Sequence, residues 1–160
     1  MEVTIKQMET DEEVRGKAYV HWSCWHDTYP GLVSAEYLEK LTLETCEQKA
    51  FLWRDNVLVA EDGERVVGFV GYGDRGETEP DTGEVFALYV LKEYRGTGVG
   101  QALMQAALDA LSSYPRIALW MVKGNARADR FYLKCGFRPT GKEKTVSSVG
   151  ADGVEYMLTR

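Results

Sequence analysis

Residues 84–100 read EVFALYVLKEYRGTGVG, and this stretch decides how the rest of the chain is interpreted. The apolar run Glu84–Val90 predicts a β-strand, and the glycine-rich turn Arg95–Gly100 leads into an alanine- and leucine-rich helix. The first amide groups of a helix have no intrahelical partner, and the helix dipole adds partial positive charge there. Glycines let a ligand approach the backbone closely. The stretch therefore predicts a pyrophosphate site with Arg95 at its mouth.

Two other phosphate-binding patterns fit the chain less well. The dinucleotide pattern GxGxxG fails because Gln101 stands where the third glycine is required. The segment from Gly136 to Lys142 has the glycine and lysine spacing of a P-loop, but Glu143 replaces the required hydroxyl residue. That segment also follows a predicted helix instead of preceding one. The pattern that the chain does meet is Arg-x-x-Gly-x-Gly, beginning at Arg95.

A second segment downstream completes a resemblance to a known family. The apolar run Leu119–Val122, then Asn125 and Ala126, and then Phe131–Phe137 follow the glycine turn. Together the two segments resemble the acyl-CoA motifs of the GNAT (N-acetyltransferase) superfamily, in the family's order and over about a third of the chain. The resemblance implies an α/β (α+β) fold: a mixed, mostly antiparallel sheet of about six to seven strands, with about four helices on both faces.

The same resemblance implies an activity. We expect an acetyl-CoA-dependent N-acetyltransferase that acts on a primary amine of a small molecule or a peptide terminus, by direct attack in a ternary complex. Acetyl-CoA is the expected co-substrate; the chemistry requires no metal, and no set of metal ligands is visible in the sequence. Two alternatives stay open: a non-catalytic acyl-CoA-binding sensor of the same fold, and an acyltransferase with a hydroxyl or protein acceptor.

Residues of the strand, the turn and the second motif are expected to bind the donor. Backbone groups of the strand would contact pantetheine, and the turn would hold the pyrophosphate. Asn125 is expected to cap a helix, to contact the ligand, or to do both. The predicted donor-binding residues are Leu88, Tyr89, Val90, Arg95, Gly96, Thr97, Gly98, Val99, Gly100 and Asn125.

Two side chains are candidates for proton transfer. An alkylammonium acceptor with a pKa near ~10 must lose a proton before it can attack. In strict alternation Glu84 shares a strand face with Leu88 and Val90, about 13 Å from Leu88 at ~3.3 Å per residue. In some family members a glutamate eleven positions before the motif arginine is the base, which corresponds to Glu84. His26, Glu36 and a water chain are the alternatives.

Tyr132 lies on the apolar stripe of its predicted helix. The resemblance to the family implies that it is the general acid near the sulfur of CoA. The alternative is a packed aromatic residue whose hydroxyl is hydrogen-bonded. An acceptor pocket is expected around Trp25 and Tyr29, where an aromatic wall could hold either a cation or a flat apolar group.

Composition limits the remaining possibilities. The chain of 160 residues carries a net charge of −6 and has a pI of about 5.0, which argues against a nucleic-acid-binding surface. We expect residues 1–160 to form one domain, with no signal peptide, no membrane span and a cytoplasmic location. Three widely spaced cysteines give no disulfide framework. The oligomeric state stays open, with a homodimer as one option.

Local signals predict the order of the elements. The capping box Thr10–Glu13 starts a first helix that should end before Pro30, and a second helix should start at about Ser34. Strands are expected from Phe51 onward, beginning with an antiparallel hairpin. Gly136 should end the last helix, and closing strands should follow it.

Overall fold

The computed structural model describes residues 2–160. The strands and helices follow in the order β1 (Val3–Gln7), α1 (Asp11–Thr28), α2 (Ala35–Lys40), α3 (Leu43–Leu52), β2 (Val57–Asp62), β3 (Arg65–Asp74), β4 (Thr82–Val90), α4 (Val99–Ala110), β5 (Arg116–Val122), α5 (Ala126–Lys134), β6 (Arg138–Val146) and β7 (Ala151–Thr159). Short 3₁₀ turns lie at Gly76–Thr78 and Lys92–Tyr94.

All seven strands form one sheet in the order β1-β2-β3-β4-β5-β7-β6. Every neighbouring pair is antiparallel except β4 and β5, which are parallel. The β4–β5 pairing covers only Thr82–Glu84 against Arg116–Ala118. Beyond Glu84 the two strands separate, so the sheet divides into a fork at its centre. The expected mixed, mostly antiparallel sheet is confirmed.

The helical part of the N-terminal half differs from the prediction. Residues 2–160 form five helices, one more than expected, and the additional helix is α3. It continues through Phe51, where we predicted strands to begin. Thr42 caps this helix by accepting a hydrogen bond from the Thr45 amide at 3.1 Å. Cys46 and Ala50, one helical turn apart, bury its inner face against α1.

The predicted capping box at the start of α1 is confirmed. The Thr10 hydroxyl accepts a hydrogen bond from the Glu13 amide at 3.1 Å, and the Glu13 carboxylate accepts one from the Thr10 amide at 2.9 Å. Lys6 donates to the second oxygen of Glu13 at 2.6 Å. Burial alone would raise the pKa of Glu13, but these bonds outweigh it and lower the pKa to about 2.

We expect this carboxylate to make stability depend on pH. The pKa of Glu13 in the folded chain lies below its ordinary value of 4.5, so its contribution is complete above that pH and is lost as pH falls through about 2. Glu13→Gln should lower the free energy of unfolding by about 1 kcal/mol at pH 7, and this difference should shrink in acid. Urea denaturation at pH 7 and pH 3 measures it. Glu12→Gln, exposed on the same turn, is the control, and a pH-independent difference would contradict the assignment.

Three free cysteines lie in or beside the core. Cys24 and Cys46 are buried, and burial raises the pKa of each thiol to about 11. Cys135 is half-buried, and burial raises its pKa as well. Among the helices of residues 2–160, none has the length and apolar character that crossing a bilayer requires.

Candidate active site

A cleft of about 370 Å³ opens where β4 and β5 separate. One wall is formed by Val85–Val90 of β4, and the other by Trp120 of β5 together with the inner side of α5. The turn before α4 closes one end. A cleft of this size can enclose a narrow organic molecule, and its position exposes the unpaired edge of β4 to any molecule within it.

A β-bulge changes the direction of side chains along β4. Gly71 pairs with Ala87 but Tyr72 pairs with Val85, so Phe86 is the extra residue. Beyond the bulge, Val90 faces α4, with its Cγ2 atom 3.8 Å from where a Cβ at Gly100 would lie.

The bulge also determines which way Glu84 points. A Cβ at Gly83 would face Leu111 at the end of α4, so Glu84, the next residue, points to the opposite face of the sheet. The expectation that Glu84 shares a face with Leu88 and Val90 is wrong, because the bulge breaks the alternation on which it depended.

The glycine turn has the geometry that an anion site requires. Gly96 and Gly98 have φ angles of 77° and 92°, in the left-handed region that favours glycine. Gly98 is the N-cap of α4, and no side chain caps the helix. The first amides of α4 are therefore available to a bound anion.

Eight of the ten predicted donor-binding residues line this cleft, and two do not. Thr97 is outside it, with its hydroxyl donating to the Tyr94 carbonyl, and Val99 is buried in the core. Asn125 both lines the cleft and caps α5 by accepting a hydrogen bond from the Ala128 amide at 3.2 Å. The residues in the cleft are Leu88, Tyr89, Val90, Arg95, Gly96, Gly98, Gly100 and Asn125.

The charges that line the cleft all have one sign. Within residues 2–160 the charged side chains of the lining are Arg95, Arg127 and Lys134, with no carboxylate among them, although the chain carries a net charge of −6. Arg95 donates to Asp27 at 2.8 Å, just outside the lining. The cleft therefore favours an anionic ligand. Arg127 was not predicted, because the sequence shows it only as one basic residue of a polar helix.

Tyr132 lines the cleft from α5. Its ring contacts Phe131, Phe137 and Tyr156, with ring centroids 5.5–6.2 Å apart. Its hydroxyl has no hydrogen-bond partner within residues 2–160. Burial raises the pKa of this phenol well above its ordinary value, so it keeps its proton at neutral pH. The hydroxyl is thus a protonated donor that the fold leaves unused.

Glu84 stands at the apex of the fork, in the last residue pair that joins β4 to β5. Arg75 donates to its Oε1 atom from Nε at 2.6 Å, and the Oε2 atom accepts no hydrogen bond from residues 2–160. The other side of the Arg75 guanidinium donates to Glu155 at 2.6 Å and to Glu79 at 2.9 Å. Burial alone would raise the pKa of Glu155, but Arg75 and Thr140 lower it overall.

Of the two residues predicted to bind the acceptor, one lines the cleft and the other does not. Tyr29 lines the cleft, and its hydroxyl is 3.0 Å from the hydroxyl of Tyr89. Trp25 does not line it; its ring packs against Tyr29, and its indole nitrogen is buried without a partner in the described chain. The aromatic residues on the open face beside the fork are Phe86, 55% exposed, and Trp120, neither of which the sequence singled out.

The two alternative bases are held elsewhere. His26 Nε2 contacts the Leu41 carbonyl at 2.7 Å, so it must donate there. Glu36 is exposed and accepts a hydrogen bond from Lys40 at 2.9 Å. Neither residue lines the cleft. Glu84 does not line it either, but Glu84 alone of the three candidates belongs to the strand pair that ends at the fork.

The sheet that forks beside a glycine turn and an uncapped helix start forms a cleft suited to an anionic ligand. Residues 6–137 match the model of the Acetyltransferase (GNAT) family, and the chain belongs to this family. It is 30% identical over 131 residues to the uncharacterized N-acetyltransferase YuaI of Bacillus subtilis (strain 168). The aligned region covers 77% of this chain and 73% of the relative. An uncharacterized N-acetyltransferase of Archaeoglobus fulgidus is 35% identical over 122 residues, or 70% of this chain and 80% of the relative.

Solved structures share the fold. The PaiA N-acetyltransferase of Thermoplasma acidophilum, in complex with coenzyme A, matches with a TM-score of 0.77 at 21% identity over 100% of both chains. A protein of Pyrococcus horikoshii OT3 matches with a TM-score of 0.79 at 21% identity over 99% of each chain. The predicted fold class is confirmed, and the chain is an acyltransferase of the N-acetyltransferase type.

Proposed function

We propose that the chain transfers an acetyl group from acetyl-CoA to a primary amine of a small molecule or a peptide terminus, by direct attack in a ternary complex. The observation that carries the proposal is the cleft through the sheet: it is cationic beside the glycine turn and holds a free phenol at Tyr132. That a structural neighbour was solved with coenzyme A bound supports the same donor.

The donor would lie along β4. The amides at Gly98 and Gly100, with Arg95, would hold the pyrophosphate. Because β5 pairs with β4 only as far as Glu84, the backbone groups of β4 that face the cleft, near Leu88 and Val90, have no strand partner. The two amides of pantetheine can hydrogen-bond to such an edge as an added strand would. The thioester would then lie toward the fork.

The reaction would then proceed at the fork. The amine nitrogen attacks the thioester carbonyl carbon, a C–N bond forms, and the C–S bond breaks as the tetrahedral intermediate collapses. The Tyr132 hydroxyl gives its proton to the departing thiolate, and the second proton that the attacking nitrogen loses on becoming an amide returns through water to the phenolate. Glu84, through its free Oε2 atom and one water, takes the proton that the acceptor ammonium must lose.

The proposal is tested by thiol release from acetyl-CoA with a panel of amines, alcohols and peptides. We expect release with an amine and intersecting initial-velocity lines, which indicate a ternary complex. Release only with alcohols or with internal protein lysines would assign a different acceptor. Tight binding of acetyl-CoA with no release for any acceptor would instead identify a sensor.

We expect Glu84→Gln to slow the reaction most at low pH. The substitution keeps the shape and removes the base, so kcat/KM should fall about 10- to 100-fold at pH 6, where the acceptor is almost wholly protonated. Near pH 10 the free amine is abundant and the variant should recover. Rates measured against pH with one acceptor provide the test. Glu79→Gln, which removes another partner of Arg75, is the control.

A ratio of variant to parent that stays constant with pH would contradict the role of Glu84 as base. It would mean that the carboxylate orients or attracts the acceptor, and the proton would then leave through water alone.

A further inference from the structure

Two arginines, one from the turn that closes the cleft and one from the α5 wall, donate to the same hydroxyl. Arg95 belongs to the turn before α4, and Arg127 to the first turn of α5. Both donate to the Thr28 hydroxyl, at 3.4 Å from Arg95 and at 3.0 Å from Arg127. Both side chains line the cleft. The C-terminal end of α1 therefore holds the two guanidinium groups close together at the mouth of the cleft.

The positive charge at this place is not balanced within the described chain. Asp27 pairs with Arg95 at 2.8 Å and with Lys92 at 3.8 Å. Arg127 has no carboxylate within 4.0 Å in residues 2–160, and its side chain donates to the neutral hydroxyl of Thr28. Burial lowers the pKa of Arg127, and the charge of Arg95 lowers it further. Asp27 is therefore one carboxylate shared among several cations, and a positive charge remains at the mouth of the cleft.

A structural role for Arg127 accounts for only part of this arrangement. The hydrogen bond to Thr28 ties α5 to α1, but a neutral donor would make that bond without placing a second positive charge beside Arg95. The repulsion between the two charges is offset when a bound anion neutralises the pair. Guanidinium groups match phosphate oxygens in a bidentate geometry. Two of them beside one hydroxyl can reach the two phosphoryl groups of a single diphosphate.

We propose that Arg127 is a second arm of the donor site, which binds the diphosphate of acetyl-CoA from the wall opposite the glycine turn, together with Arg95. This rests on the proposed function, because it assumes that CoA is the ligand of the cleft. On binding, phosphate oxygens replace the Thr28 hydroxyl as acceptors. The diphosphate then joins the two sides of the fork, α4 with its glycine turn and α5, which β4 and β5 themselves leave apart.

Three ligands distinguish a contact of Arg127 with the diphosphate from a contact with another part of coenzyme A. Calorimetry with coenzyme A and with dephospho-CoA, which lacks the 3′-phosphate, and an NMR titration with pantetheine, which lacks all phosphates, should be performed on the parent and on Arg127→Ala. We expect the Kd of the first two to rise equally, by about 10- to 150-fold, as for a lost hydrogen bond to a charged group. The Kd of pantetheine should not change.

Two further variants serve as controls. Arg130→Ala removes an exposed charge from the same helix, outside the cleft, and should leave all three affinities unchanged. Arg127→Lys keeps the charge but not the fork of donors, and should recover part of the affinity. Thermal unfolding of each variant checks that α5 remains folded.

Several outcomes would overturn the assignment. A loss confined to coenzyme A would place Arg127 on the 3′-phosphate, and a loss shared by pantetheine would make its role structural. Unchanged affinity for all three ligands would remove it from the donor site. If the parent itself bound no coenzyme A, the proposed function would fail, and that result is distinct from each of these.

Discussion

Replacing Tyr132 by phenylalanine is expected to lower kcat for acetyl transfer by about 10²–10⁴-fold, the usual contribution of a positioned general acid. The substitution removes one hydroxyl that has no partner in the described chain and that burial keeps protonated. The ring would keep its contacts with Phe131, Phe137 and Tyr156. The Kd for coenzyme A and the melting temperature should therefore stay close to those of the parent.

Tyr156→Phe is the matched control for this experiment. Its ring is 6.1 Å from that of Tyr132, but its hydroxyl donates to Asp129 and it does not line the cleft. Single-turnover kinetics should confirm that chemistry limits kcat. If kcat of Tyr132→Phe then equals that of the parent, Tyr132 is a packing residue and water protonates the thiolate.

Gly98→Val is expected to raise the Kd for coenzyme A by at least about 100-fold. A left-handed φ of 92° strains any branched side chain, at a cost of about 1–3 kcal/mol, and the new methyl groups would stand where phosphate must meet the backbone. No protein atom lies within 4 Å of a Cβ at this position, so the effect comes from strain and from blocked ligand access. Arg95→Ala should raise the Kd by about 10- to 150-fold.

Gly141→Val distinguishes the effect of backbone strain from that of blocked ligand contact. Gly141 has a φ of 91° in the edge strand β6, also with no atom within 4 Å of a Cβ, and it does not line the cleft. Its substitution should lower stability by a comparable amount and leave the affinity for coenzyme A unchanged. Calorimetry that finds unchanged affinity in both Gly98→Val and Arg95→Ala would place the donor elsewhere.

The parts of the site that the sequence predicted are local in the chain. The capping box at Thr10, the cap at Asn125 and the strand–turn–helix around Arg95 each depend on residues a few positions apart. Short-range hydrogen bonds and backbone preferences determine such features, so their sequence patterns are informative. The glycine turn and the uncapped start of α4 were predictable for this reason.

The parts that the sequence did not predict depend on long-range geometry. The extra residue at Phe86 leaves the apolar run of β4 unbroken, so strict alternation gave the wrong face for Glu84. Arg75 was not among the predicted site residues, and its partner Glu155 is 80 residues further along the chain. The junction of Arg127 with Thr28 spans 99 residues. No local pattern records such contacts.

Sulfur reactivity follows from the burial of the cysteines. A thiol with a pKa of about 11, as in Cys24 and Cys46, is ionised in about one molecule in a thousand at pH 8, and only the thiolate attacks disulfide reagents. Coenzyme A released by the enzyme can thus be followed continuously with a chromogenic disulfide, after subtraction of the signal from the half-buried Cys135. Cys24 also donates to the Val90 carbonyl on the donor strand at 3.3 Å. The rate at which Cys24 is alkylated should therefore report how often α1 opens away from β4. Bound coenzyme A should lower that rate.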